Sequence, residues 1–169
     1  HGSAKYTGEF NFLKWKLSLN YTNSDGYSLP SNFNKTDNEN GGKRDNSGFE
    51  EKSLFFKLYA DISEDFHLSF TEMIIDDEKY VPGDIYTDFP RYWRFPEWGG
   101  SLQNLSYLWD LNDDISIKGN LFYNHFSNTL ESYDDATFTT QERRYAFTSE
   151  QTERSLGGKI YFYANTIFE

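Results

Sequence analysis

The segment Tyr86–Trp98 concentrates the side chains best suited to hold a ligand: Tyr86, Arg91, Tyr92, Trp93, Arg94 and Trp98. Aromatic rings supply flat apolar contact area, and arginines supply a planar fork that matches carboxylates. Together they could bind an anionic or aromatic chelate. Packing of the loop on itself, with an aromatic girdle at an interface, accounts for the same residues and is the favoured account of them. The acidic groups Asp76-Asp77-Glu78 and Asp134-Asp135 offer the hard oxygen ligands that Ca²⁺ takes. Their spacing fits no calcium loop, so solvated loop charge is the plainer reading. Asp113-Asp114 reads as turn chemistry.

His67 and His125 have no second histidine at ligand spacing and are read as residues of a polar interior face. The chain has no cysteine, which removes disulfides, thiolate metal sites and thiol nucleophiles. It contains no Gly-Xaa-Ser-Xaa-Gly elbow and no phosphate loop. Carboxylates are abundant, yet no spacing singles out a glycosidase pair. No enzymatic activity, metal or cofactor is expected. The net charge of −11, from 27 acidic against 16 basic residues, repels phosphate backbones, so nucleic acid is not an expected partner.

The elements that must carry these residues are strands. In Ser101–Phe126, Leu105, Tyr107, Trp109 and Leu111 alternate with polar residues, as do Ile115, Ile117, Gly119, Leu121 and Tyr123. Between them lies the polar turn Asn112-Asp113-Asp114. Alternation with period two predicts a hairpin with one apolar face. Asn104, Ser106, Asp110, Ser116, Lys118, Asn120 and Asn124 make the other face too polar for a dry core.

The same texture recurs. Leu13, Trp15, Leu17, Leu19 and Tyr21 alternate with Lys14, Lys16, Ser18 and Asn20. Leu54, Phe56, Leu58 and Ala60 stand opposite Lys57, and Phe66, Leu68 and Phe70 opposite His67, Ser69 and Thr71. Leu156, Gly158, Ile160, Phe162 and Ala164 stand opposite Lys159, Tyr161 and Tyr163. Ala4–Gly8 is the end of a possible earlier strand, with Glu9-Phe10-Asn11 as its turn. The apolar face of each segment is read as free of charge, with Lys14, Lys16, Lys57, Lys118 and Lys159 on the other side.

Connections alternate long and short. Long loops are expected near residues 23–50, 76–100 and 127–152, with Pro82, Pro90 and Pro96 punctuating strands rather than sitting inside them. Parts of 127–152 are read as continuations of the flanking strands. Short turns on one rim and long loops on the other, with apolar stretches of about nine residues, fit a transmembrane β-barrel, whose tilted strands need about 9–11 residues to cross. A lipid-facing lysine costs about 2–4 kcal/mol at the midplane, which explains the expulsion of charge from one face. Aromatics make up 20% of the chain although mean hydropathy is −0.79, as strands with polar loops require.

The predicted fold is therefore all-β, an antiparallel up-and-down meander of transmembrane β-barrel type. Residues 1–3 are read as an expression-tag remnant, and residues 4–169 as one barrel segment of six to seven strands. Six strands leave two unpaired edges that lipid cannot satisfy, and single-chain bacterial barrels start at eight. The chain is thus read as part of a larger barrel, or as closing against another copy of itself.

Two stretches carry a family resemblance. Leu17–Asn34, LSLNYTNSDGYSLPSNFN, resembles a barrel strand leading into the Asp-Gly-Tyr loop of TonB-dependent outer-membrane receptors. Arg91–Trp98, RYWRFPEW, and Asn128–Thr140, NTLESYDDATFTT, resemble the later barrel of that family. The resemblance implies a large barrel around a plug, residence in the outer membrane of a Gram-negative bacterium, and an energy-transducing inner-membrane partner. It implies uptake of a metal chelate, corrinoid or oligosaccharide. Neither a plug nor a TonB box is read within these residues. The rival readings are a soluble acidic β-sandwich that binds carbohydrate through Tyr92, Trp93 and Trp98, and a small adhesin-like outer-membrane barrel.

Overall fold

The computed structural model describes residues 1–165, so the last four positions of the expected 4–169 segment lie outside the described residues. Seven strands follow in order: β1 (Gly2–Phe10), β2 (Leu13–Ser24), β3 (Phe49–Asp61), β4 (Phe66–Val81), β5 (Tyr92–Asn112), β6 (Ile115–Tyr133) and β7 (Phe147–Ala164). They form one antiparallel sheet in sequence order. The up-and-down meander is as the alternation requires, and its seven strands lie within the expected six to seven. The sheet is not closed: β1 and β7 are its edges. No helix among the described residues is long and apolar enough to cross a membrane.

Three tight turns share one rim. The first is Asn11-Phe12, not Glu9-Phe10-Asn11, because Phe10 still pairs with Leu13. Asn11 takes the left-handed φ of 52° that an asparagine tolerates. At the β5–β6 turn the Asn112 side-chain oxygen accepts from the backbone N–H of Asp114 and Ile115, both at 3.0 Å. The turns brace one another: Asp61 N–H donates to Phe12 O at 2.9 Å and Asp110 N–H to Asp65 O at 2.8 Å.

Directly paired residues share a face, so the register sorts the two faces without ambiguity. One level of the apolar face reads Trp15, Leu58, Phe70, Leu105, Leu121 and Gly158 from β2 to β7. The next reads Leu13, Ala60, Leu68, Tyr107, Gly119 and Ile160. Lys14, Lys16, Lys57, Lys118 and Lys159 all fall on the polar face, as their alternation demands. Burial is inverted relative to a protein with a water-excluding core. The buried apolar residue is Ala60, whereas Ser18, Asp77, Asn128 and Ser132 of the polar face are all buried. Tyr6, Leu156 and Phe162 are 63%, 72% and 74% exposed. A sandwich needs a second sheet to cover such a face, and the described residues form only one.

Several sequence expectations are corrected by the register. Glu72 lies on the apolar face, level with Phe56, so that face is not free of charge. Gln103 Nε2, its cross-strand neighbour, donates to Glu72 Oε1 at 3.1 Å, which gives the carboxylate a partner on the sheet. His125 also stands on the apolar side, paired with Ser101 in register. Strands run further than the polar composition of their ends suggests, because backbone pairing does not require apolar side chains. The loops shrink to residues 25–48, 82–91 and 134–146. Pro96 sits inside β5, where the pairing register slips between Arg94 and Glu97; a bulge is where a strand tolerates the missing donor. β1 begins at Gly2, with Gly2 and Ser3 paired to Tyr21 and Asn20.

Candidate functional site

The three long loops meet above one rim of the sheet. Loop 25–48 carries a small hairpin of its own. Leu29 N–H donates to Gly42 O at 2.7 Å, Arg44 N–H to Tyr27 O at 2.9 Å, and Thr36 and Glu39 bridge at the tip. Gly41 and Gly42, at φ 88° and 86°, make the reversal that a β-carbon would strain. Behind this turn Glu39 is 1% exposed. It accepts from the backbone N–H of Gly41 at 3.3 Å and of Asp45 at 3.1 Å, and pairs with the Arg44 guanidinium. Burial pushes the Glu39 carboxyl up, but these donors outweigh it and hold it below the ordinary carboxylate range.

Arg44 also donates to Gly83 O, tying this loop to loop 82–91. Asn46 extends the stitching. Its amide nitrogen donates to Val81 O at 2.7 Å and Trp93 O at 2.9 Å, and its oxygen accepts from Arg94 Nε at 3.0 Å. The last turn of the stitch is Asn38, whose amide donates to Thr87 O at 2.6 Å. Loop 134–146 is closed by Asp134. Its carboxylate accepts from the N–H of Glu142 at 2.8 Å and of Arg143 at 2.9 Å. The Glu142 amide leads the contacts that hold the Asp134 carboxyl below its ordinary range.

Phe138 projects from that loop, at φ 53°, and meets Tyr92 and Tyr133 edge-on at 6.0 and 5.6 Å. The Arg94 guanidinium lies between two rings, 4.2 Å from Tyr80 and 4.0 Å from Phe138. Burial, followed by the hydroxyl's bond to Glu131, pushes the Tyr133 phenol up to about 12.

A cavity of about 520 Å³ opens among these parts, walled by Asn38, Arg44, Arg91, Tyr92, Arg94 and Phe138 among others. Its volume lies within the range of small-molecule sites. A second cavity of about 350 Å³ adjoins it through Arg91, Gly83 and Asp84, and is walled by Trp93 and Phe89. The larger wall carries both signs of charge: Arg44, Arg91 and Arg94 against Asp37, Glu39, Asp45 and Asp84. Arg44 is neutralised by Glu39; among the described residues Arg91, over the Trp93 ring at 4.8 Å, and Arg94, whose Nε is committed to Asn46, have no carboxylate partner.

Of the six residues singled out from sequence, the fold gathers Arg91, Tyr92 and Arg94 on the larger cavity and Trp93 on its neighbour. Trp93 Nε1 is already committed to Ser132 Oγ at 3.1 Å. Tyr86 is 80% exposed and stands apart from both walls. Trp98 lies lower, on the polar face, wedged edge-on against Phe95 and Phe126 at 4.9 and 5.4 Å. The packing account thus describes Trp98, and the binding account retains the other cluster. Glu39, Arg44, Asn46, Tyr80 and Phe138 escape a sequence reading, since no periodicity or motif marks a loop residue that works through a distant partner.

The acidic groups serve the fold. Asp77 and Asp76 point to opposite faces, Asp77 meets Lys79 at 3.2 Å, and Asp134 fastens its own loop. Among the described residues no three His, Asp or Glu side chains gather as metal ligands would. His67 on the polar face meets Asp61 at 2.6 Å. No family model, curated protein or solved structure matches the chain.

Proposed function

We propose that the chain is a wall segment of an outer-membrane β-barrel receptor, with its apolar face on lipid and its long loops outward. One observation carries the reading: one face of the sheet carries large apolar side chains in register from strand to strand, many of them exposed, while Lys14, Lys16, Lys57, Lys118 and Lys159 stand on the other. In water such a face costs about 25 cal/mol for each square ångström left uncovered; lipid removes that cost. Leu13–Tyr21 gives the height. At about 3.3 Å per residue and a tilt of about 40°, nine residues rise about 20–23 Å, close to the ~25 Å apolar band of such barrels. Phe66 and Trp109, edge-on at 6.1 Å, sit at the short-turn end of that band, where amphipathic rings suit the headgroup zone.

The two open edges support a place within a longer wall, continued by the rest of the barrel or by another copy, because lipid leaves no edge unpaired. The rim cavity supports a binding rather than catalytic role: it presents stacking rings and two arginine forks beside amides. Its ligand is a metal chelate, corrinoid or oligosaccharide, captured at the outer face. Passage then depends on a plug and on an energy-transducing inner-membrane complex of the TonB type. That family-level part rests on the resemblance of Leu17–Asn34 with its Asp25-Gly26-Tyr27 loop, of Arg91–Trp98 and of Asn128–Thr140.

The test is solubility without detergent. The purified chain is expected to aggregate in plain buffer and to form β-structure in micelles. A monodisperse monomer in buffer, with Leu17 and Leu121 shielded from solvent, would refute the membrane reading. A plug encoded upstream in the same reading frame would separate the receptor from an adhesin-like barrel.

A further inference from the structure

One level of the polar face is built for an anion. In register across β2 to β5 it reads Lys16, Lys57, Thr71 and Asn104. Two ammonium groups thus spring from directly opposed positions, where side chains start about 5 Å apart and like charges repel. Among the described residues neither lysine has a carboxylate partner, whereas Lys14 one level away takes Asp61 at 3.3 Å. Lys16 Nζ leans over β3, 5.8 Å from the Phe55 ring centroid. That brings its charge toward the strand that carries Lys57.

The surroundings reinforce the sign. Lys5, Lys14, Lys16, Lys57, Lys118 and Lys159 share this face. The carboxylates among their levels are Glu9, opposite Lys14, and Asp61. The chain as a whole carries −11, so its acidic groups lie mainly in the loops and strand extensions and leave a local positive field here. Beside the lysines, Asn104 is fixed by its neighbours. Its amide nitrogen donates to Ser106 Oγ at 2.9 Å, and its oxygen accepts from Asn120. Thr71 adds a hydroxyl donor on the same level.

We propose that the Lys16–Lys57–Thr71–Asn104 level binds the oxyanion group of a phosphorylated or sulfated solute, which bridges the two ammonium groups and relieves their repulsion. The site follows from strand register alone and is independent of what covers the opposite face.

The experiment titrates inorganic phosphate into the full chain refolded in amine-oxide micelles, which carry no phosphate, and follows binding by calorimetry and the lysine ¹³Cε resonances. The native chain is expected to bind saturably, with Lys16 and Lys57 shifting together. Lys57→Gln weakens binding by about tenfold or more, as loss of one charge-assisted contact requires; Lys57→Arg retains it, and Lys159→Gln leaves it within about twofold. Circular dichroism confirms that each variant keeps its strands, and Lys16→Gln replaces Lys57→Gln if that variant does not fold. Equal weakening in Lys57→Gln and Lys159→Gln would mean diffuse screening and overturn the site. So would the absence of saturation, or a response to phosphatidylglycerol in the micelle with none to phosphate.

Discussion

Leu121→Lys separates a lipid-facing wall from a surface in water by the size of its effect. Leu121 is 53% exposed and lies midway along the apolar stretch of β6, opposite Leu105 on β5 and Gly158 on β7. Gly158 offers no side chain to cover it. In water, replacing a half-exposed leucine at such a site changes stability by only about 0.5 kcal/mol. Against hydrocarbon, a lysine near the midplane costs about 2–4 kcal/mol, or roughly 30- to 800-fold in the folding equilibrium. The assay is urea unfolding of the full chain refolded into phosphatidylcholine vesicles, followed by tryptophan fluorescence. Asn120→Lys is the control, one residue away and on the polar face. It is expected to lose only about 0.2–1 kcal/mol, from facing Lys159 and giving up its bond to Asn104 on a wet face, while Leu121→Lys unfolds at markedly lower urea. Equal midpoints for the two variants, or a destabilised Asn120→Lys beside an unaffected Leu121→Lys, would refute the assignment of faces to solvent and lipid.

Three further outcomes follow from the packing. Glu39→Ala leaves the buried Arg44 guanidinium unpaired, which costs about 3–5 kcal/mol and should speed tryptic cleavage at Lys35 and Lys43 by about a hundredfold or more; unchanged cleavage would show that this pair does not hold the loop. Because the Asp134 carboxyl is held below its ordinary value of 3.8, its stabilisation of loop 134–146 is complete above that pH and is lost as pH falls through the lowered value; the protection of the Glu142 and Arg143 amides, measured against their intrinsic exchange, should therefore hold from neutral pH down to about 4 and fall below it, and Asp134→Asn should abolish that acid step. Gly119→Val drives a side chain into the Tyr107 ring that lies over Gly119, so a loss of about 1–3 kcal/mol is expected in the same urea assay, and a neutral result would mean the ring is not packed there.

The strand pattern was legible because alternation is a local property. Leu13–Tyr21 and Ile115–Tyr123 announce their faces residue by residue, and the register keeps every one of those assignments. Strand ends were less legible. Asp76–Val81 and Tyr92–Gly100 look like loop, yet they pair, because charged residues at a rim stay in water while their backbones continue the ladder. His125 reads as a polar-face residue only until the period is carried through it, and the same step puts Glu72 on the apolar face. The site was half legible: Arg91, Tyr92 and Arg94 announce themselves by type. Nothing in their neighbourhood names Asn46 or Phe138, which reach them from 48 and 44 residues away in the chain.

The sequence by itself determined that this chain forms antiparallel strands with one apolar face and one polar face, since a period of two and the placement of lysines need no tertiary information. Only the tertiary structure decided that the seven strands lie in one open sheet, with no second layer over the apolar face among the described residues. It also decided which loop residues share a cavity. The reason is physical: which face a residue takes depends on its own backbone alone, whereas layering and loop contacts are settled between segments that no local pattern relates.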